Sequence, residues 1–347
     1  MLALPRWLHL LALLTCALVP CAAPAEARAL KIYVLGDSDS HTYRDAVNGV
    51  ARGGAHHDVA YQWTEIWQIL RPAEVDMGPR GIWGTNAKFA SLRAWLGLSY
   101  RVKAKADYRY NFAFSGATCR KLFHYPYQVR GLTSLLEHAS ADQPGLVVIR
   151  IGINDFGQLS HLHRWAAGDV VEANTRVDAC LADIGQAISA VRALRPDMRF
   201  ALVGTSHDYN GIGVEADTFD ARAIERIQDV YGRFETGLQA LAADADVAFV
   251  SGAAHAARIW GDRFAGTRIE AATIDGSRPL INGVGDEPYH RTLADGHAST
   301  ITNGFWLQDF ITAVNAQLGL GFSQIETREF FRLADPNGAH GIYRDVS

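Results

Sequence analysis

Short apolar runs alternate with stretches in which apolar residues recur every three or four positions. Residues 31–35, Lys-Ile-Tyr-Val-Leu, form one run and end at Gly36. Tyr108, Tyr110, Phe112 and Phe114 alternate with other residues, as in a half-buried strand. Residues 146–151, 200–203 and 247–250 are further apolar runs. Between them, Val177, Leu181, Ile184, Ile188 and Val191 step by four and three, predicting a helix that stops before Pro196. Ile224, Ile227, Tyr231, Phe234, Leu238 and Leu241 predict a second helix, and Phe310, Ile311, Val314 and Leu318 a late one ending at Gly319. Strands buried on both faces read as continuous apolar runs. The alternation with helices therefore predicts an α/β chain with a parallel sheet covered on both sides. Residues 52–107, with Trp63, Trp67, Trp83 and Trp95 among Gly and Pro, predict an inserted, partly helical segment. Residues 253–300 are loop-rich. No repeat or linker divides residues 28–347, which reads as a single domain.

The N-terminus follows another pattern. Arg6 precedes an apolar run over residues 8–19, and Ala25-Glu26-Ala27 offers a small-x-small cleavage site. Residues 1–27 thus read as a signal peptide, with Ala29 as the alternative cleavage point. A short membrane anchor is the competing reading. Thr15 and Pro20 precede Cys16 and Cys21, where a lipoprotein site wants a small residue. The expected location is secreted or periplasmic, with no stable membrane insertion after cleavage. Composition adds exclusions. With 48% hydrophobic residues the 347-residue chain is no disordered or collagen-like polymer. With Lys plus Arg 33 against Asp plus Glu 37 it lacks the basic excess of a nucleic-acid binder. Cys119 and Cys180 remain beyond residue 27, in an oxidising compartment, where one disulfide or two buried thiols are both open readings.

Open α/β sheets bind ligands beyond the carboxyl ends of their strands. The first run leads into Gly36-Asp37-Ser38, the second into Ser115-Gly116, the third into Gly152-Ile153-Asn154-Asp155. Late in the chain stands Asp295-Gly296-His297. A serine hydrolase needs a nucleophile, a base that reaches it, a carboxylate that orients the base, and donors aimed at the oxyanion. Ser38, His297 and Asp295 supply the first three, and Gly116 N–H with the Asn154 amide supplies the donors. Taken singly, Ser38 also suits a helix N-cap and Gly116 or Gly152 a turn.

In order and spacing these blocks resemble the SGNH, or GDSL, hydrolases. Gly36-Asp37-Ser38 matches the first block, Gly116 the second and Gly152-x-Asn154-Asp155 the third. The resemblance implies a flavodoxin-like three-layer α/β/α sandwich with a mostly parallel sheet. It also implies ester hydrolysis through an acyl-enzyme on Ser38, without cofactor or metal. The last block departs from the pattern: the family has Asp-x-x-His, whereas one residue separates Asp295 from His297. Gly296 gives the backbone freedom to compensate, and Asp286 with His290 is the rival pair. The expected substrate is a small-molecule or carbohydrate ester, with short acyl or O-acetyl groups. An O-acyltransferase on the same triad and a non-catalytic polysaccharide-binding relic are the alternatives. His56-His57 and His161-x-His163 lack the spacing of a zinc site and read as loop histidines, as does His207. Trp63, Trp67 and Trp83 read as core of the insert ahead of a sugar-binding lip.

Overall fold

The computed structural model of the chain describes residues 29–138, 144–205, 219–261, 271–272 and 280–342. The expected signal peptide, residues 1–27, and His207 lie outside the described residues. A five-stranded parallel sheet runs through the centre: β1 (Leu30–Gly36), β2 (Val75–Asp76), β3 (Gly145–Arg150), β4 (Arg199–Val203) and β5 (Val247–Val250). Their spatial order is β2-β1-β3-β4-β5, and Leu35 pairs with Ile149, Ile149 with Leu202 and Leu202 with Phe249. This is the flavodoxin-like order, whose switch point lies between β1 and β3.

The continuous apolar runs are explained by the two helical layers. Tyr33, Leu35, Val147, Ile149, Phe200 and Leu202 face one layer, made of α3 (Gln128–Glu137), α5 (Leu159–Ala166), α6 (Val170–Leu194) and α7 (Ala221–Leu241). Ile32, Val34, Leu146, Val148, Ala201 and Val203 face the other, made of α1 (Trp63–Leu70), α8 (Gly252–Trp260), α9 (Thr300–Leu318) and α10 (Thr327–Ala334). Alternate residues of each strand are buried in opposite layers, so charged residues stand only near the strand ends, as at Lys31, Arg150 and Arg199. α6 ends at Leu194 before Pro196, and α9 ends on Gly319 in the left-handed region, φ 61°.

Three expectations are corrected. Residues 108–114 are not one regular strand. Lys105–Tyr108 forms an antiparallel pair with Arg80–Trp83, and the chain then turns to run beside β1. There Phe112 N–H donates to Val34 O (2.8 Å) and Phe114 N–H to Gly36 O (3.1 Å). The sheet edge is shared between this segment and β2, whose two residues carry no periodic signal. Trp63 and Trp67 are fully buried, yet their core is the main one, against Trp306 and Phe310. α8 occupies part of the region expected to be loop. No helix of the described residues is long and apolar enough to cross a membrane.

Candidate active site

The site lies at the switch point. A Cβ on Gly36 would stand 2.4 Å from Arg150 O, so only glycine lets β1 close on β3 directly below Ser38. Asp37 is wholly buried, and its Oδ1 accepts Asp39 N–H at 2.9 Å, folding the chain into a tight turn around Ser38. Burial, and then the charge of Asp39, push the Asp37 carboxyl well above its usual range. The Asp39 carbonyl is held by Trp63 Nε1 (3.0 Å), Arg150 Nη1 (3.0 Å) and Gln62 Nε2. Among the described residues, the Ser38 side chain makes no hydrogen bond, and the N–H groups of Ser38 and Gly116 are given to no carbonyl.

The second and third blocks are tied together. Asn154 is the second residue of the one-turn helix α4 (Ile153–Phe156), and its Nδ2 donates to Ala117 O at 3.0 Å. Asp155 Oδ2 accepts Cys119 N–H at 2.9 Å, and burial raises its pKa to about 6. Cys119 and Cys180 are disulfide-bonded, Cα–Cα 5.1 Å. With Asp155 they form the one cluster at metal-ligand spacing among the described residues, but the sulfurs are already bonded to each other.

In the last block, His297 Nδ1 lies 3.1 Å from Asp295 Oδ1 despite the short spacing. Gly296, at φ 85°, makes the turn that brings them together. The rival pair is not assembled. Asp286 Oδ1 accepts Ala294 N–H (3.0 Å), and His290 Nε2 faces Glu287 Oε2 (3.5 Å). Of the other histidines, His57 faces Asp58 (3.1 Å) and His161 stacks on Trp165.

Two groups carry no motif and escaped the sequence. Arg52 follows the small hairpin Arg44–Asp45/Val50–Ala51. Its Nη1 pairs with Asp295 Oδ2 and lies 2.6 Å from His297 Nδ1, while Nη2 reaches Ser115 Oγ (3.4 Å). Burial works against the Asp295 anion. The His297 hydrogen bond and the His297 and Arg52 charges outweigh it and hold the carboxyl below its usual range. The second group is buried: His41 Nε2 meets Asp45 Oδ2 (2.8 Å), and His41 Nδ1 accepts Ser115 N–H (3.1 Å) beside Ser115 Oγ (3.0 Å). Burial, then the Lys105 charge, lower the His41 pKa to about 4, so the ring is neutral and fixes the backbone one residue before Gly116. The His41-x-x-x-Asp45 spacing beside Ser38 was the available signal.

The model of the GDSL-like Lipase/Acylhydrolase family matches residues 80–269, a range that holds Gly116 and Asn154 and ends before Asp295. Among solved structures the chain is similar to the phospholipase A1 of Streptomyces albidoflavus NA297, with 15% identity, 83% of this chain and 99% of that one covered, and a TM-score of 0.42. It is similar to the family 3 carbohydrate esterase of Clostridium thermocellum, with 15% identity, 84% and 98% covered, and a TM-score of 0.41. The extracellular lipase of Streptomyces rimosus gives 15% identity, 82% and 100% covered, and a TM-score of 0.43. No curated protein matches the chain. With the family model spanning more than half of its residues, and a five-stranded parallel sheet between two helical layers, the chain belongs to the GDSL-like Lipase/Acylhydrolase family and has the α/β SGNH hydrolase fold.

Proposed function

We propose that the chain is an exported serine esterase that hydrolyses short-chain acyl or carbohydrate O-acetyl esters. Ser38 Oγ attacks the acyl carbonyl, and its proton passes to His297 Nε2. The carbonyl oxygen, now an oxyanion, takes hydrogen bonds from Ser38 N–H, Gly116 N–H and Asn154 Nδ2. Collapse breaks the bond to the alcohol, which leaves with the proton from Nε2. Water then attacks the acyl-enzyme by the same route in reverse, releasing the acid and restoring Ser38.

The observation that carries this reading is the Nδ1 contact of His297 with Asp295 at 3.1 Å. A proton on Nδ1, donated to Asp295, leaves the lone pair on Nε2, as a base toward Ser38 requires. The Arg52 N–H group at the same Nδ1 favours the opposite tautomer. Arg52 and Asp295 therefore compete for one ring nitrogen, and catalysis needs Asp295 to hold it. Ser38 and His297 are not hydrogen-bonded here, and such contacts tighten when substrate binds.

Labelling with a fluorophosphonate, read by intact mass, tests the reading. One adduct is expected on the wild type and none on Ser38→Ala, whose turnover of nitrophenyl acetate falls on the order of 10⁶-fold. A labelled Ser38→Ala protein, or one keeping a few per cent of activity, removes Ser38 from the role. Acetate release from an acetylated polysaccharide, compared with nitrophenyl esters of rising chain length, then assigns the substrate.

A further inference from the structure

The inserted segment carries a surface that ester hydrolysis does not use. α2 (Ala87–Trp95) stands off the body with Ala90 as its one buried residue. Around it Trp95 is 81% exposed, Ile82 69%, Phe89 60%, Leu96 54%, Leu92 48% and Leu98 45%. Exposed apolar residues grouped in this way mark an interaction surface.

Charge identifies the partner. Between residues 77 and 106 there is no Asp or Glu, although the whole chain is net acidic at −4. Of the cations there, Arg80 pairs with Glu65 and Lys105 with Asp107. Lys88, Arg93, Arg101, Lys103 and the nearby Arg109 have no carboxylate salt-bridge partner among the described residues. Beneath α2 lies a recess of about 480 Å³ lined by Trp83, Phe89, Arg93, Arg101, Arg109 and Phe112. Arg101 is 8% exposed, its Nη1 donates to Arg109 O (3.0 Å), and its Nε meets no acceptor. Asp107 and Asp45 act on Arg101 only at a distance, because Lys105 and His41 hold them.

We propose that this face docks on an anionic lipid surface, with Trp95, Leu92 and Leu96 in the headgroup–acyl boundary and the guanidinium-lined recess receiving a lipid phosphate. Surfaces at the membrane interface combine exposed Trp and Leu with Lys and Arg in this way. A second copy of the chain is a poorer occupant, since a two-fold contact would set these unpaired cations against themselves. An acidic polysaccharide would satisfy the arginines and leave the exposed leucines in water.

Co-sedimentation with vesicles tests the proposal without reading catalysis, so its outcome is separate from that of the esterase reading. The chain from residue 28 to 347 is mixed with vesicles of phosphatidylglycerol and phosphatidylcholine in equal parts, and with phosphatidylcholine alone. Preferential binding to the first, weakening with salt, is expected. The Lys88→Glu/Arg93→Glu double variant should bind it about tenfold or more weakly, and Trp95→Ser should also bind less. All three positions are exposed, so turnover of nitrophenyl acetate reports that the variants remain folded and should be unchanged. Every variant starts at residue 28, so the apolar run over residues 8–19 contributes nothing to the binding. Equal binding to both vesicles, or by wild type and double variant, overturns the proposal. So does a dimer in sedimentation velocity that these substitutions dissolve, or equally tight, equally sensitive binding to polygalacturonate.

Discussion

At the scale of single residues, the candidate site joins side chains that stand far apart along the chain. Ser38 and Asn154 follow strands and Gly116 follows the edge segment beside β1, and position marks all three. Arg52 reaches Asp295 only because a hairpin returns it there, across 243 residues of chain. If Asp295 orients His297, His297→Ala should approach the loss of Ser38, while Asp295→Asn, which keeps the imidazole, should retain measurably more kcat. Equal activity of Asp295→Asn and wild type would reduce the triad to a dyad. His41 makes a separate prediction. Its folded pKa, about 4, lies below the usual 6.5, so its contribution to stability is complete above pH 6.5 and is lost as pH falls through 4. Asp155, raised to about 6, works in the opposite sense, costing stability as pH rises from 3.8 to 6. Comparing the pH dependence of the thermal midpoint in wild type and His41→Gln cancels Asp155 and isolates His41. The wild type should lose more stability between pH 6.5 and 4, and parallel curves would sink the assignment.

At the scale of elements, strands and long helices were legible because each buries a periodic face, as in α6 and α7. β2 was not, since two residues have no period, and neither was the break of residues 108–114 into a hairpin arm and an edge segment. α2 was missed as a surface because an exposed apolar helix has the composition of a core one. The sequence left the state of Cys119 and Cys180 open, because it carries no Cα separation. The bond joins the turn after Gly116 to α6 across 61 residues, and closing such a loop restricts the unfolded chain. Replacing both cysteines by alanine should cost roughly 2–5 kcal/mol of unfolding free energy, read from denaturant titration. In unreduced, denatured protein that starts at residue 28, and so lacks Cys16 and Cys21, two thiols reacting with a thiol reagent would contradict the bond.

At the scale of the whole molecule, the turn that carries Ser38 is supported by a core that the insert completes. Trp63 lies in the insert, is fully buried, and packs at 5.0 Å on Trp306 and 5.8 Å on Phe310, both in α9. Its Nε1 donates to the Asp39 carbonyl, one residue from Ser38. The segment that reads as an insertion is therefore part of the core beneath Ser38, joining α9 to the turn after β1. Two substitutions separate the two roles. Trp63→Ala empties a large ring from a packed layer and should cost about 3–5 kcal/mol, a drop visible in the thermal midpoint. Trp63→Phe keeps most of the ring and removes the hydrogen bond. The Asp39 carbonyl still has Arg150 and Gln62, but the buried Ser40 Oγ loses the Trp63 N–H (3.2 Å), so the stability cost should be about 1–3 kcal/mol, below that of Trp63→Ala. Esterase kinetics on folded Trp63→Phe protein then report the turn alone. A fall in kcat at unchanged KM would place Trp63 among the groups that hold Ser38 in attacking position. Unchanged kcat would limit its part to packing.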